Sequence, residues 1–164
     1  MPIISNTSPL LNLAIIDHLD LLRQQFGQIF IPPPVLTELK PNTGYPGVER
    51  LEQALAAMWV RVVDLTDNKL AQALMLELDQ GEAAAIALAL EQGHGQILMD
   101  ERDGRVKAKA LGLKPVGVLG VLLRAKIEGD LVSVKEAMQA LRADAGFFID
   151  DQLFEAILTE AGEQ

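Results

Sequence analysis

Five short aliphatic runs, each separated from the next by a segment long enough for a helix, constrain this chain more than any other feature. They are Ile3-Ile4, "IFI" at 29 to 31, "VRVVDL" at 60 to 65, "ILM" at 97 to 99 and "PVGV" at 115 to 118. Runs this short and this rich in branched side chains suit buried strands, and the intervening segments carry apolar residues at helical spacing. Strands alternating with helices predict right-handed βαβ crossovers and an α/β fold whose mostly parallel central sheet is covered on both faces. With 164 residues, 49% of them hydrophobic, the chain has enough apolar material for one core. No repeat, low-complexity tract or linker divides it, so a single domain over residues 1–164 is expected.

The helix starts have their own chemistry. Ser8-Pro9 reads as an N-cap followed by proline at the first helical position, and Pro32-Pro33-Pro34 closes a strand before "VLTEL" opens a helix. In "LDQGEAAAIALALEQG", Asp79 and Glu82 form a capping-box-like pair ahead of an alanine-rich helix, which Gly93 and Gly95 then interrupt. "KPNTGYP" at 40 to 46 predicts the principal loop. The closing "FFIDDQLFEAIL" predicts a last amphipathic helix docked through Leu153, Ile157 and Leu158.

An open parallel sheet binds ligands at the carboxyl ends of its strands, where the strand order reverses. Asn6 follows the first strand, Glu38 lies on the helix after the second, and Asp100 and Asp103 follow "ILM". Glu82 stands in the first turn of the alanine-rich helix that leads into "ILM". Oxygen donors in such a group suit a hard divalent cation, which takes one or two carboxylates, waters and phosphate oxygens. The set Asn6, Glu38, Glu82, Asp100 and Asp103 therefore fits metal-assisted phosphodiester hydrolysis. Each member has an ordinary alternative: Glu82 as a helix cap, Glu38 as a solvated helix residue, Asp100 and Asp103 as turn residues. Their joint placement is what favours a site.

A formal net charge of −9 opposes binding of a polyanion. The average conceals an asymmetry, because seven of the 14 basic residues and a single acid, Asp103, lie between Arg102 and Lys126. Within that strip Arg102, Arg105 and Lys109 share one helical face and suit phosphate contacts, although a solvated helix face would look the same. The absence of cysteine excludes disulfides and thiol chemistry. His18 and His94 have no partner at metal-ligand spacing, and no Walker lysine or Gly-x-Ser-x-Gly elbow is present. Trp59 and Tyr45 are too isolated for a base-stacking platform. The N-terminus shows no leader pattern and no apolar stretch reaches membrane-spanning length, so a soluble cytoplasmic protein with no membrane partner is expected.

Together "ISNTSPLLNL", "LDLL", "IFIPPPVLTEL", "LDQGEAAAIALA", "ILMDERDGRVKAKALGLKPVGVLGVLLRAK" and "FFIDDQLFEAIL", in this order, resemble the PIN-domain family. The likeness is to a PIN-like branch related to the toxin nucleases of bacterial toxin–antitoxin pairs. It implies a three-layer α/β/α sandwich with acids holding Mg²⁺ or Mn²⁺ for cleavage of single-stranded RNA. It also implies a homodimer and, where an antitoxin is encoded alongside, inhibition by that cognate antitoxin. The family's leading acid falls on Asn6, the second on Glu38, the third on Glu82 and the fourth on Asp100, with Asp103 as a supplement; Thr7 and Ser8 match small hydroxyl residues that orient ligands.

Asn6 departs from this pattern, since an amide oxygen can ligate a cation but brings no charge and accepts no proton at neutral pH. The expectation is a divalent-metal-dependent ribonuclease of the PIN toxin type, attenuated at Asn6. The alternative is a non-catalytic module binding RNA or protein. An aspartyl phosphatase is disfavoured because the nucleophile's position would hold Asn6.

Overall fold

The structure, a computed structural model, describes residues 2–40 and 43–164. Each predicted run is a three-residue strand: β1 (Ile3–Ser5), β2 (Ile29–Ile31), β3 (Val60–Val62), β4 (Gln96–Leu98) and β5 (Lys114–Val116). The helices are α1 (Thr7–Ile15), α2 (Asp20–Phe26), α3 (Pro33–Leu39), α4 (Val48–Ala56), α5 (Lys69–Leu74), α6 (Gln80–Glu91), α7 (Arg102–Ala110), α8 (Val118–Glu128), α9 (Val134–Asp144) and α10 (Asp151–Glu160). All pairings are parallel, and the sheet order is β3-β2-β1-β4-β5. The chain winds outward from β1 to β3, then returns to the other side of β1 for β4 and β5. The order thus reverses between β1 and β4, where Ser5 pairs with Leu98.

Side-chain alternation along the strands makes the sandwich. Ile3 and Leu98 enter the core beneath α1, α2, α8, α9 and α10, while their neighbours Ile4 and Ile97 enter the core on the opposite face, beneath α6. Two separate cores on one sheet require apolar residues at successive positions, which is why these strands read as continuous rather than alternating hydrophobic runs. Helix α6 is buried along nine consecutive residues, Gly81 to Ala89. A helix apolar on every side has no solvent face, and its alanines let α3, α5 and the sheet close on it. None of the described helices is long and apolar enough to cross a membrane.

Two local expectations are corrected. Helix α1 starts at Thr7, not after Ser8; Asn6 occupies the N-cap position with extended backbone, and its side chain turns away from the helix. In α10, Leu153 is 42% exposed and Phe154 is buried in its place, because the Asp150 side chain caps the helix at Leu153 N and so fixes which face meets the core. The predicted loop 40 to 46 lies partly outside the described residues, at 41 and 42. The capping box on α6 is present as expected: Asp79 Oδ1 accepts from Glu82 N at 2.8 Å and Glu82 Oε2 accepts from Asp79 N at 3.3 Å.

Candidate active site

The carboxyl ends of β1 and β4 hold the two least compensated polar side chains among the described residues. Asn6 is 3% exposed. Its backbone N–H donates to Leu98 O at 3.0 Å, fixing the end of β1 against β4, and its Nδ2 reaches the Met99 sulfur at 3.5 Å. A thioether is a weak acceptor, and the buried Oδ1 has no partner at all. Asp100, one residue beyond Met99, accepts from Val118 N at 3.0 Å through Oδ1, while its buried Oδ2 also lacks a partner. Burial pushes the Asp100 carboxyl up to about 6, against the opposing pull of the Val118 N–H and the Arg105 charge. Buried oxygens without hydrogen bonds are costly in an interior and are common where a ligand completes them.

Helix α6 brings Glu82 to the same edge of the sheet. At 6% exposure its carboxyl is raised first by burial and then by the Asp79 charge, with smaller contributions from Glu101 and Asp103. Glu38, on the last turn of α3, is exposed and accepts from Thr7 Oγ1 at 2.8 Å. A side chain at Gly81 would bring its Cβ within 2.5 Å of Glu38 Oε1, so the glycine leaves the space the carboxylate occupies. Gly117 does the same for Asp100, where an added Cβ would lie 2.8 Å from Oδ1.

Sequence reading did not single out Glu101, Met99 or these two glycines. Glu101 accepts from Ser8 Oγ at 3.3 Å and shares the field around Glu82. It stands inside the acidic run "MDERDGR", which was its signal. Asp103, exposed in the first turn of α7, contributes charge near Glu82. Arg105 turns inward: its Nη1 donates to Met99 O at 2.8 Å and its charge faces Asp100. Arg102 and Lys109 are exposed on α7 without an ion pair among the described residues. The rest of the basic strip is partly committed, with Lys107 to Glu77, Arg124 to Glu128 and Lys126 to Glu163.

Among the described residues no three acids or histidines stand close enough together to hold one ion. The donors nevertheless fit a small hard cation. Mg²⁺ keeps several waters and needs only one or two protein carboxylates, and Asp100 offers an unpartnered buried oxygen for it. Asp100 would be its protein ligand, with at most one further acid beside it, Glu38 or Glu82 from the same end of the sheet, and waters completing the shell.

The fold is a doubly wound α/β domain with a wholly parallel sheet, and acids stand at the carboxyl ends of its strands. The chain belongs to the PIN-domain family: the family model DUF3368, described as a PIN domain, matches residues 2–163. No curated protein and no solved structure matches it.

Proposed function

We propose that the protein is a divalent-metal-dependent ribonuclease of the PIN toxin type acting on single-stranded RNA, with its turnover attenuated by Asn6. The observation that carries this reading is Asp100 Oδ2, a buried carboxylate oxygen without a partner at the strand-order reversal of a PIN domain. A bound Mg²⁺ or Mn²⁺ would supply charge neutralisation at the phosphate and an activated water. Asp100 holds the negative charge at the centre of the site, oriented by Val118 N and Arg105. Thr7 fixes the Glu38 carboxylate, and Ser8 fixes Glu101. Glu82, with its carboxyl raised by burial and by the Asp79 charge, holds a proton more readily than an exposed glutamate. Arg102 and Lys109 are exposed cations on α7 available to the RNA backbone. The same reading expects a homodimer and, where one is encoded nearby, an antitoxin partner.

The test is cleavage of a single-stranded RNA with Mg²⁺ or Mn²⁺ by wild type and by Asp100→Ala. Loss of cleavage in the variant is expected, and equal activity would remove the acids from the mechanism.

A second reading, a binding module without catalysis, is favoured by Asn6 itself: it is uncharged, buried, and already tied to Met99. Asn6→Asp separates the two. A large gain in cleavage is expected for an attenuated nuclease, whereas tighter metal binding with no cleavage at all would favour the module.

A further inference from the structure

Asp100 and Arg105 also line a groove of about 590 Å³ that opens along the sheet's edge at β5. This volume lies within the usual range of about 300–1,000 Å³ for small-molecule sites. Besides Asp100, the charged residues lining it are cations, Arg105 and the exposed Lys114 of β5. Its apolar lining comes from β5 and α8, through Pro115, Val116 and Leu119, and from the other end of the chain, through Phe147 and Phe148 in the turn after α9 and Leu153 of α10. Phe147 packs against the core, but Phe148 is 84% exposed. A lone exposed apolar residue is ordinary, whereas an exposed ring beside a half-exposed leucine and two cations forms a surface of definite chemistry.

The edge strand itself argues against a peptide occupant. Lys114 N donates inward to Gly95 O, so the next residue's N–H would be the one directed away from the sheet. That residue is Pro115, which has no N–H, and a strand added at this edge would find no donor there. A polyanion carrying planar bases fits both the cations and the ring. We propose that this groove is a nucleobase-stacking subsite, in which the base beside the reacting phosphodiester of single-stranded RNA stacks on Phe148 while Lys114 meets a backbone phosphate. The inference rests on the ribonuclease reading of the adjoining acids, which share Asp100 with the groove.

The experiment measures fluorescence anisotropy of a short labelled oligouridylate, and of its abasic counterpart, in EDTA so that cleavage cannot intervene. Phe148→Ala is expected to weaken oligouridylate binding by about 5- to 150-fold, the range for losing one stacked base, and to leave the abasic oligomer unaffected. Phe148→Trp is expected to restore affinity, with indole emission quenched on binding; Trp59, the only native tryptophan, is buried and should not respond. Lys114→Gln is expected to reduce the salt dependence of binding by about 0.7 in slope. Phe148→Ala binding as tightly as wild type, or weakening equally toward the abasic oligomer, would overturn the subsite. So would failure of the wild type to bind oligouridylate, which would point instead to a protein occupant. If no variant cleaves RNA with Mg²⁺ while the Phe148 effect persists, the ribonuclease reading falls and the stacking subsite stands.

Discussion

Asp100 concentrates the site's chemistry in one carboxyl group. Its folded-state value, about 6, lies above the ordinary aspartate value because burial disfavours the charged form. A raised carboxyl makes the native state bind its proton more tightly than the unfolded chain does. It therefore costs stability above about pH 6, and that cost disappears as the pH falls toward the ordinary value near 4. In metal-free protein, Asp100→Asn should raise stability at pH 8 by about 1–3 kcal/mol, since the amide oxygen can still accept from Val118 N. The gain should fade between pH 6 and pH 4 in denaturant titrations; a gain independent of pH would show that Asp100 is charged at no cost. Asn6 works in the opposite sense. Buried at the adjacent strand end, Asn6→Asp should lower stability in EDTA and recover it when Mg²⁺ is added, read as a shift in thermal midpoint.

At the level of elements, short contacts between helices position the acids. Gly81 leaves room for Glu38 at the meeting of α3 and α6. Gly81→Ala should keep or slightly raise stability, because alanine is favoured over glycine in a helix by about 1 kcal/mol and the exposed Glu38 carboxylate can move aside. The same change should separate Glu38 from Thr7 and weaken Mg²⁺ binding measured by calorimetry; unchanged metal affinity would exclude Glu38 from the ligand set. The sequence made the α6 start legible, since Asp79 and Glu82 form a local motif three residues apart. It left α1 two residues out of place, because Asn6 spends its side chain on Met99, 93 residues away, rather than on its own helix. Helix α9 shows both cases. Ser133 caps it locally at Glu136 N, a signal in the sequence, but its first N–H groups are also taken by Glu163 near the chain's end. Only the fold reveals that second cap.

For the whole molecule, an acidic body with a formal net charge of −9 limits how RNA can be held. On the α7 and β5 side that carries Asp100, Arg102, Lys109 and Lys114 are exposed without an ion pair among the described residues, so RNA held there would have about three phosphates neutralised. The slope of log K against log salt for single-stranded RNA should then be about −2. A slope near zero would mean that binding does not use these cations. Mg²⁺ that binds only the native state should add about 2.7 kcal/mol of stability at a hundred times its dissociation constant, and Asp100→Ala should abolish the increment.

The sequence by itself determined the alternation of strands and helices, and with it a parallel sheet sheltered on both faces, because periodicity and caps are local. It also set Asn6, Asp100 and Glu82 near strand ends and helix starts. Only the tertiary structure decided which oxygens lie buried without partners, that Arg105 turns to Met99 rather than to solvent, and that Phe148 lines a groove with Lys114. Burial and pairing depend on residues distant in the chain brought together by packing, and no local spacing encodes them.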